Sequence, residues 1–201
     1  MATIGLDKIY YAPITEDSSG NETYGTPVQL SKGISAEISV EMREGELFGD
    51  DGVAESVKEF LKGKLSMNLV DLIPTAAAAI LGARVDNNGA LVSSAEDVAP
   101  YVAVGFRARK SNGKYRYFWL YRVKFGIPNT SLQTKGSGIN FSTPTVEGEF
   151  TRRNKLSGDD HPWKAEITEG DSGVSASTLT GWFSSVYEPS FTAGGGNGGN
   201  I

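Results

Sequence analysis

The chain has 201 residues, 24 acidic and 19 basic side chains for a formal net charge of −5, 25 glycines and no cysteine. This length supports one domain with a core that needs no covalent staple, and the missing cysteine excludes disulfides, thiolate metal sites and thiol catalysis. No basic-then-apolar leader opens the chain and no run approaches the ~20 apolar residues of a membrane span, so neither secretion nor membrane insertion is expected.

Net acidity argues against bulk nucleic-acid binding, but the charge is unevenly spread. Residues 1–97 hold 16 acids and 7 bases, residues 98–146 hold 8 bases and no acid, and residues 147–201 hold 8 acids and 4 bases. The acid-free block is either a solvated basic face or a surface that meets an acidic one, on nucleic acid or on another copy of the chain.

In chain order, residues 4–14 read as a strand ending near Pro13, and residues 15–27 as a polar loop. Residues 33–72 read as a long antiparallel hairpin. Ile34, Ala36, Ile38, Val40 and Met42 alternate with Ser35, Glu37, Ser39, Glu41 and Arg43, the period of a half-buried strand with its apolar side inward. The returning arm puts Leu65, Met67 and Leu69 on one face. Between the arms is an acidic tip, Glu44, Glu46, Asp50 and Asp51, carrying Leu47 and Phe48. Exposed apolar residues on a projecting tip point to a partner. Pro74–Gly82 reads as a short helix with proline in its first turn and glycine at its end. Residues 83–92 read as a small hairpin turning at Asn88-Gly89.

Residues 101–125 form the strongest local pattern, two alternating runs around Asn112-Gly113. A two-residue type I′ turn there sets Val102 against Val123, Val104 against Tyr121, Phe106 against Trp119 and Ala108 against Tyr117 on one face. On the other face it sets Arg109 opposite Arg116. Like charges so placed destabilise a strand pair unless an acidic partner intervenes. Residues 126–140 are a loop, 141–152 a strand with Glu147 and Glu149 on one face, and 163–168 a short strand. Residues 177–187 space Leu179, Trp182, Phe183 and Val186 as one helix face, ending before Pro189. The domain is expected over 1–190, with a Gly-rich tail at 191–201. The fold class is mainly β: an antiparallel β-sandwich or barrel with one or two short flanking helices.

Catalytic and metal-binding chemistry is not expected. The single histidine, His161, lies in a polar turn beside Asp159 and Asp160. The acidic tip lacks calcium-loop spacing. Ser111 and Lys114 match S-x-x-K only through the hairpin turn. The best site-like feature is the basic hairpin with Tyr115, Tyr117, Phe118, Trp119 and Tyr121, which could stack single-stranded bases as an OB-fold does. The pairing above sends Tyr117, Trp119 and Tyr121 to the apolar face, however, and leaves only Phe118 among the bases.

An ordered series of motifs carries a resemblance over about residues 4–190. It comprises Gly5–Pro13, the Ile34–Met42 strand running into Leu47-Phe48-Gly49-Asp50-Asp51, and the Pro74–Gly82 helix after Asp71-Leu72. It continues with Tyr115–Phe125 followed by Pro128, Lys135-Gly136 leading to Phe141–Gly148, and Trp182–Tyr187. In these the chain resembles the phage major tail protein family of the phi13 type, the tail-tube subunits of long non-contractile tails. The resemblance implies a structural, non-enzymatic virion protein, assembled in the host cytoplasm. It needs no cofactor and forms hexameric rings that stack into a tube for genome ejection. The partners implied are further copies of the chain and other tail proteins, such as the tape measure and tail-end proteins. DNA passes through the lumen without specific binding. On this reading Glu37, Glu41, Glu147 and Glu149 line the lumen. Glu44, Glu46, Leu47, Phe48, Asp50 and Asp51 reach the next ring, and Arg107, Arg109, Arg116, Arg122 and Lys124 meet acids of a neighbour. The alternatives are an OB-like single-stranded nucleic-acid binder and a carbohydrate-binding β-sandwich.

Overall fold

A computed structural model describes residues 2–49, 52–129 and 142–191, with side chains described throughout except at 47–49 and 52–55. Asp50, Asp51, the side chains of Leu47 and Phe48, the loop beyond Asn129, Lys135, Phe141 and the tail from residue 192 lie outside the described residues. The chain is mainly β, with a large antiparallel sheet and two short helices. Its strands follow the order β2-β1-β8-β9-β10-β5-β4: β1 is Thr3–Glu16, β2 Glu22–Tyr24, β4 Gly33–Gly49, β5 Gly52–Leu69, β8 Tyr101–Lys110, β9 Tyr115–Phe125 and β10 Thr145–Thr151. That path stays open, so the barrel alternative does not form. The chain divides into two compact units, the first from Met1–Gln29, Val102–Arg122 and Arg152–Ile201, the second from Leu30–Tyr101 and Val123–Thr151.

The first unit is built on β1, β8 and β9, with β11 (Lys164–Thr168) along the free side of β9. The turn between β8 and β9 differs from the expected one. Lys110 N–H donates to the Lys114 carbonyl at 2.8 Å, and Gly113 N–H to the Lys110 carbonyl at 3.0 Å. Gly113 has φ 83°, while Lys8 is the only non-glycine with positive φ among the described residues. Asn112 is therefore not in a type I′ turn. The turn has three residues, Ser111 to Gly113, with glycine in the left-handed bulge position. Lys110 now faces Lys114, and the register slips by one residue. A slip of one exchanges the faces of a strand. Gly105 comes opposite Trp119, where an added Cβ would meet the indole at 2.8 Å. Arg109 is no longer opposite Arg116.

The result is one aromatic core face. Ala12, Ala103, Tyr117, Trp119, Tyr121, Trp182 and Val186 form a buried cluster, with Tyr10, Leu179, Phe183 and Tyr187 packed against it. Val102, Val104 and Phe106, expected on that face, lie on the other and are also buried. The apolar residues of 177–187 reach the cluster, but the helix, α2 (Ala176–Gly181), is shorter than expected. The Trp182 carbonyl accepts from Trp119 Nε1 at 3.0 Å, and the Tyr187 carbonyl accepts from the Tyr121 hydroxyl at 2.9 Å. These two bonds tie the backbone that follows the helix to the aromatic cluster.

The second unit contains the expected long hairpin, β4 with β5, and β10 on the far side of β5. Leu65, Met67, Leu69, Val146 and Phe150 are fully buried. The apolar row of β4 follows them only in part, with Ala36 and Ile38 half-buried. Ile34, Val40 and Met42 remain 50%, 41% and 49% exposed. Among the described residues β4 ends the strand path and is flanked by β5 alone. Helix α1 (Pro74–Leu81) matches its expected span, and Gly82, at φ 77°, returns its N–H to the Ala78 carbonyl at 2.9 Å. The small hairpin also forms, as β6 (Arg84–Val85) with β7 (Leu91–Val92). Asp86 Oδ1 organises its turn by accepting from the Asn88 and Ala90 N–H groups.

Candidate functional site: a charged sheet face and an open strand edge

The β4–β5–β10 registers bring the four acids expected to act together onto one face of the second unit. Glu37 pairs with Ser66, which pairs with Glu147; Ser39 pairs with Lys64, which pairs with Glu149; Glu41 pairs with Lys62. A groove of about 800 Å³ runs over this face, lined by Glu37, Ser39, Lys64, Ser66, Glu147 and Glu149 among others. Period-two alternation explains the arrangement, since each strand sends its polar residues to the same side.

The face is not purely acidic. Lys62 Nζ lies 3.0 Å from Glu149, and Lys64 Nζ lies 3.8 Å from Glu41. Each lysine reaches diagonally past the residue directly opposite it. The hydrogen bond to Glu149, with the Glu149 and Glu41 charges, raises the Lys62 pKa. Lys124 lines the same groove and stands over the Tyr101 ring at 5.4 Å. Two lysines on β5 therefore interleave with the acids, which sequence reasoning missed. The signal was present, because Lys62 and Lys64 alternate with Ser66 on the polar side of the returning arm.

Toward the tip, Glu44 faces and pairs with Lys58 at 2.8 Å, and Glu46 faces Ser56. The backbones of Leu47 and Phe48 continue the ladder, opposite Glu55 and Val53. β10 reaches only Gly63–Asn68 of β5, so Met42–Gly49 and Gly52–Phe60 form a ribbon of two strands. Besides the apolar row of β4, Val57 and Leu61 on β5 are 47% and 43% exposed.

The basic residues of β8 and β9 have a different setting. Arg107 holds Asp7 bidentately at 2.6 and 2.8 Å, and that bond keeps its pKa high. Arg116 pairs with Glu166. Arg122 clamps Glu16 and Glu22, which are directly opposite each other in the β1–β2 ladder. This like-charge strand pair is acidic, and an arginine relieves it. Arg109 makes no ion pair among the described residues. Glu22 was read only as part of a loop, yet it is 2% exposed and also accepts from the Asn154 N–H at 2.8 Å. Nearby Arg153 is fully buried, bonded to Glu188 at 2.9 Å and seated 4.5 Å over the Tyr121 ring.

Trp119 and Tyr121 are fully buried and Tyr117 nearly so, whereas Tyr115 and Phe118 are half-buried. His161 Nδ1 lies 3.1 Å from the Arg153 carbonyl. Among the described residues no cluster of His, Asp and Glu is arranged to hold a metal ion, and no helix is long and apolar enough to cross a membrane. No family model matches the chain, and no curated protein matches it.

Proposed function

We propose that the chain is a structural subunit that assembles with copies of itself into stacked rings, forming the tail tube of a phage. The observation that carries this reading is β4. It is a strand of 17 residues at the end of an open sheet, with Ile34, Val40 and Met42 exposed along it. A long, apolar, unpaired edge is a template for another chain, and soluble monomers blunt such edges. Pairing of each copy's edge with its neighbour closes a ring without leaving a free strand, and head-to-tail contact between rings then extends it. In that arrangement the face bearing Glu37, Glu41, Glu147 and Glu149 lines the passage. Its residual acidity repels phosphates, so DNA slides without being held. The ribbon beyond Met42 reaches the adjoining ring, where the tape measure and tail-end proteins would also contact the assembly at its interior and terminus.

The test is negative-stain electron microscopy of the concentrated full chain, with sedimentation velocity alongside. Rings or tubes of constant width are expected. A monodisperse monomer at every accessible concentration would overturn the proposal.

A further inference from the structure

Lys8 has φ 53°, the left-handed region, which a lysine occupies only at a cost that glycine would not bear. It sits in the β1 irregularity between Asp7 and Tyr10, where the register against β8 shifts. Bulges re-aim side chains, and here Lys8 joins the lining of a groove of about 580 Å³ within the first unit. That volume is in the range of small-ligand sites. One wall is aromatic: Tyr10 stacks on Phe183 with centroids 4.9 Å apart and planes at 17°. Thr180 and Ser184 add hydroxyls. Glu169 also lines the groove, one oxygen accepting from the Tyr115 N–H at 2.9 Å and the other left over. Arg107 is committed to Asp7, whereas Lys8 has no ion pair or side-chain hydrogen bond among the described residues.

We propose that this groove binds an acidic saccharide, a pyranose unit bearing a carboxylate. The stacked rings offer a flat apolar wall to the C–H face of a sugar. Glu169, Thr180 and Ser184 offer acceptors and donors to its hydroxyls. The Lys8 ammonium offers the one uncommitted positive charge to its carboxylate, a charge-assisted contact. A backbone held in a costly conformation to present that ammonium is the kind of strain that collects at ligand sites. The inference does not rest on the tube reading.

The experiment titrates the full chain, at low salt, with a trimer of α-1,4-linked galacturonate and separately with its methyl ester, followed by amide chemical shifts. Saturable shifts around Lys8, Tyr10 and Phe183 are expected with the acid. Binding of the neutral ester should be roughly tenfold weaker, the loss of about one charge-assisted contact. Lys8→Gln should lose the acid preference. Lys8→Gly, which relieves the left-handed strain, should melt no lower than the parent and lose the same preference. Absence of saturable binding at millimolar trimer, equal binding of acid and ester, or unaltered binding by both Lys8 variants would overturn the proposal. So would a lower melting temperature for Lys8→Gly, since the lysine would then serve the fold.

Discussion

Gly63 lies where β5 passes under Phe150. A Cβ at that position would collide with the Phe150 ring and come within 2.6 Å of the Ser39 carbonyl oxygen. Phe150 is fully buried and the oxygen belongs to the neighbouring strand, so neither has room to retreat. Gly63→Ala should destabilise the fold by about 1–3 kcal/mol, the usual cost of overpacking, in urea unfolding. Gly45, with nothing within 4 Å of its added Cβ, is the control, and Gly45→Ala should stay within roughly 0.5 kcal/mol. Equal losses at both sites would remove the packing explanation. Glu166 makes a second residue-scale case. Burial pushes its carboxyl up, but hydrogen bonds from Lys164 and Arg116, with their charges, outweigh this and hold its pKa below 4.5. A depressed carboxylate contributes stability above its unfolded pKa and loses it as pH falls through the folded value. Glu166→Gln should therefore flatten the decline of melting temperature below about pH 4.5. An unchanged acid limb would show that the pair adds nothing to stability.

The hairpins and helices differ in how far local pattern could define them. The β4–β5 hairpin was legible because alternation persists along both arms. Helix α1 was legible because Pro74 and Gly82 mark its two ends. The exposure of the β4 apolar row was not legible, since alternation says which residues share a face but not whether anything covers it. The Asn112-Gly113 turn was half legible. Asn-Gly marks a turn, yet the same pair suits both a two-residue and a three-residue loop, and that one-residue difference reassigned Arg109, Phe106 and Val104. The extent of α2 was hidden for another reason: the spacing of Leu179, Trp182, Phe183 and Val186 marks residues that reach one cluster, and the turn beyond Gly181 brings them there without a continuous helix. The edge of β4 carries the element-scale prediction. Val40→Lys places a charge on an exposed position of an edge strand, a device that blocks strand addition. The variant should keep the parent's circular dichroism and melting temperature while failing to form rings or tubes in the microscope. Normal assembly by a folded Val40→Lys protein would exclude this edge as the growing contact.

For the whole molecule, strand order was the least legible property. β1 lies beside β8, and β10 lies between β9 and β5. Nothing in a local period selects neighbours separated by so many residues. Charge distribution was legible as a census but not as a wiring diagram. The acid-free block of 98–146 is real, and three of its arginines still find carboxylates in their own unit, on β1, β2 and β11. Alternation grouped Glu37 with Glu41 and Glu147 with Glu149; that the two pairs share a face follows from the β4–β5–β10 registers, which no local pattern states. Lys62 and Lys64 show what grouping by a single charge sign leaves out.

The two-strand ribbon has a consequence of phase. Unsupported pairs of strands coil more tightly than wide sheets, and the extra residue at Leu61, where Glu41 faces Lys62 but Met42 faces Phe60, adds to that rotation. Glu44 and Glu46, at odd spacing from Glu37, already lie on the other side of β4 by alternation, and the added rotation turns them further from the direction Glu37 takes at the base. Base and tip are separately steerable: substitutions that re-aim side chains in one leave the other unchanged.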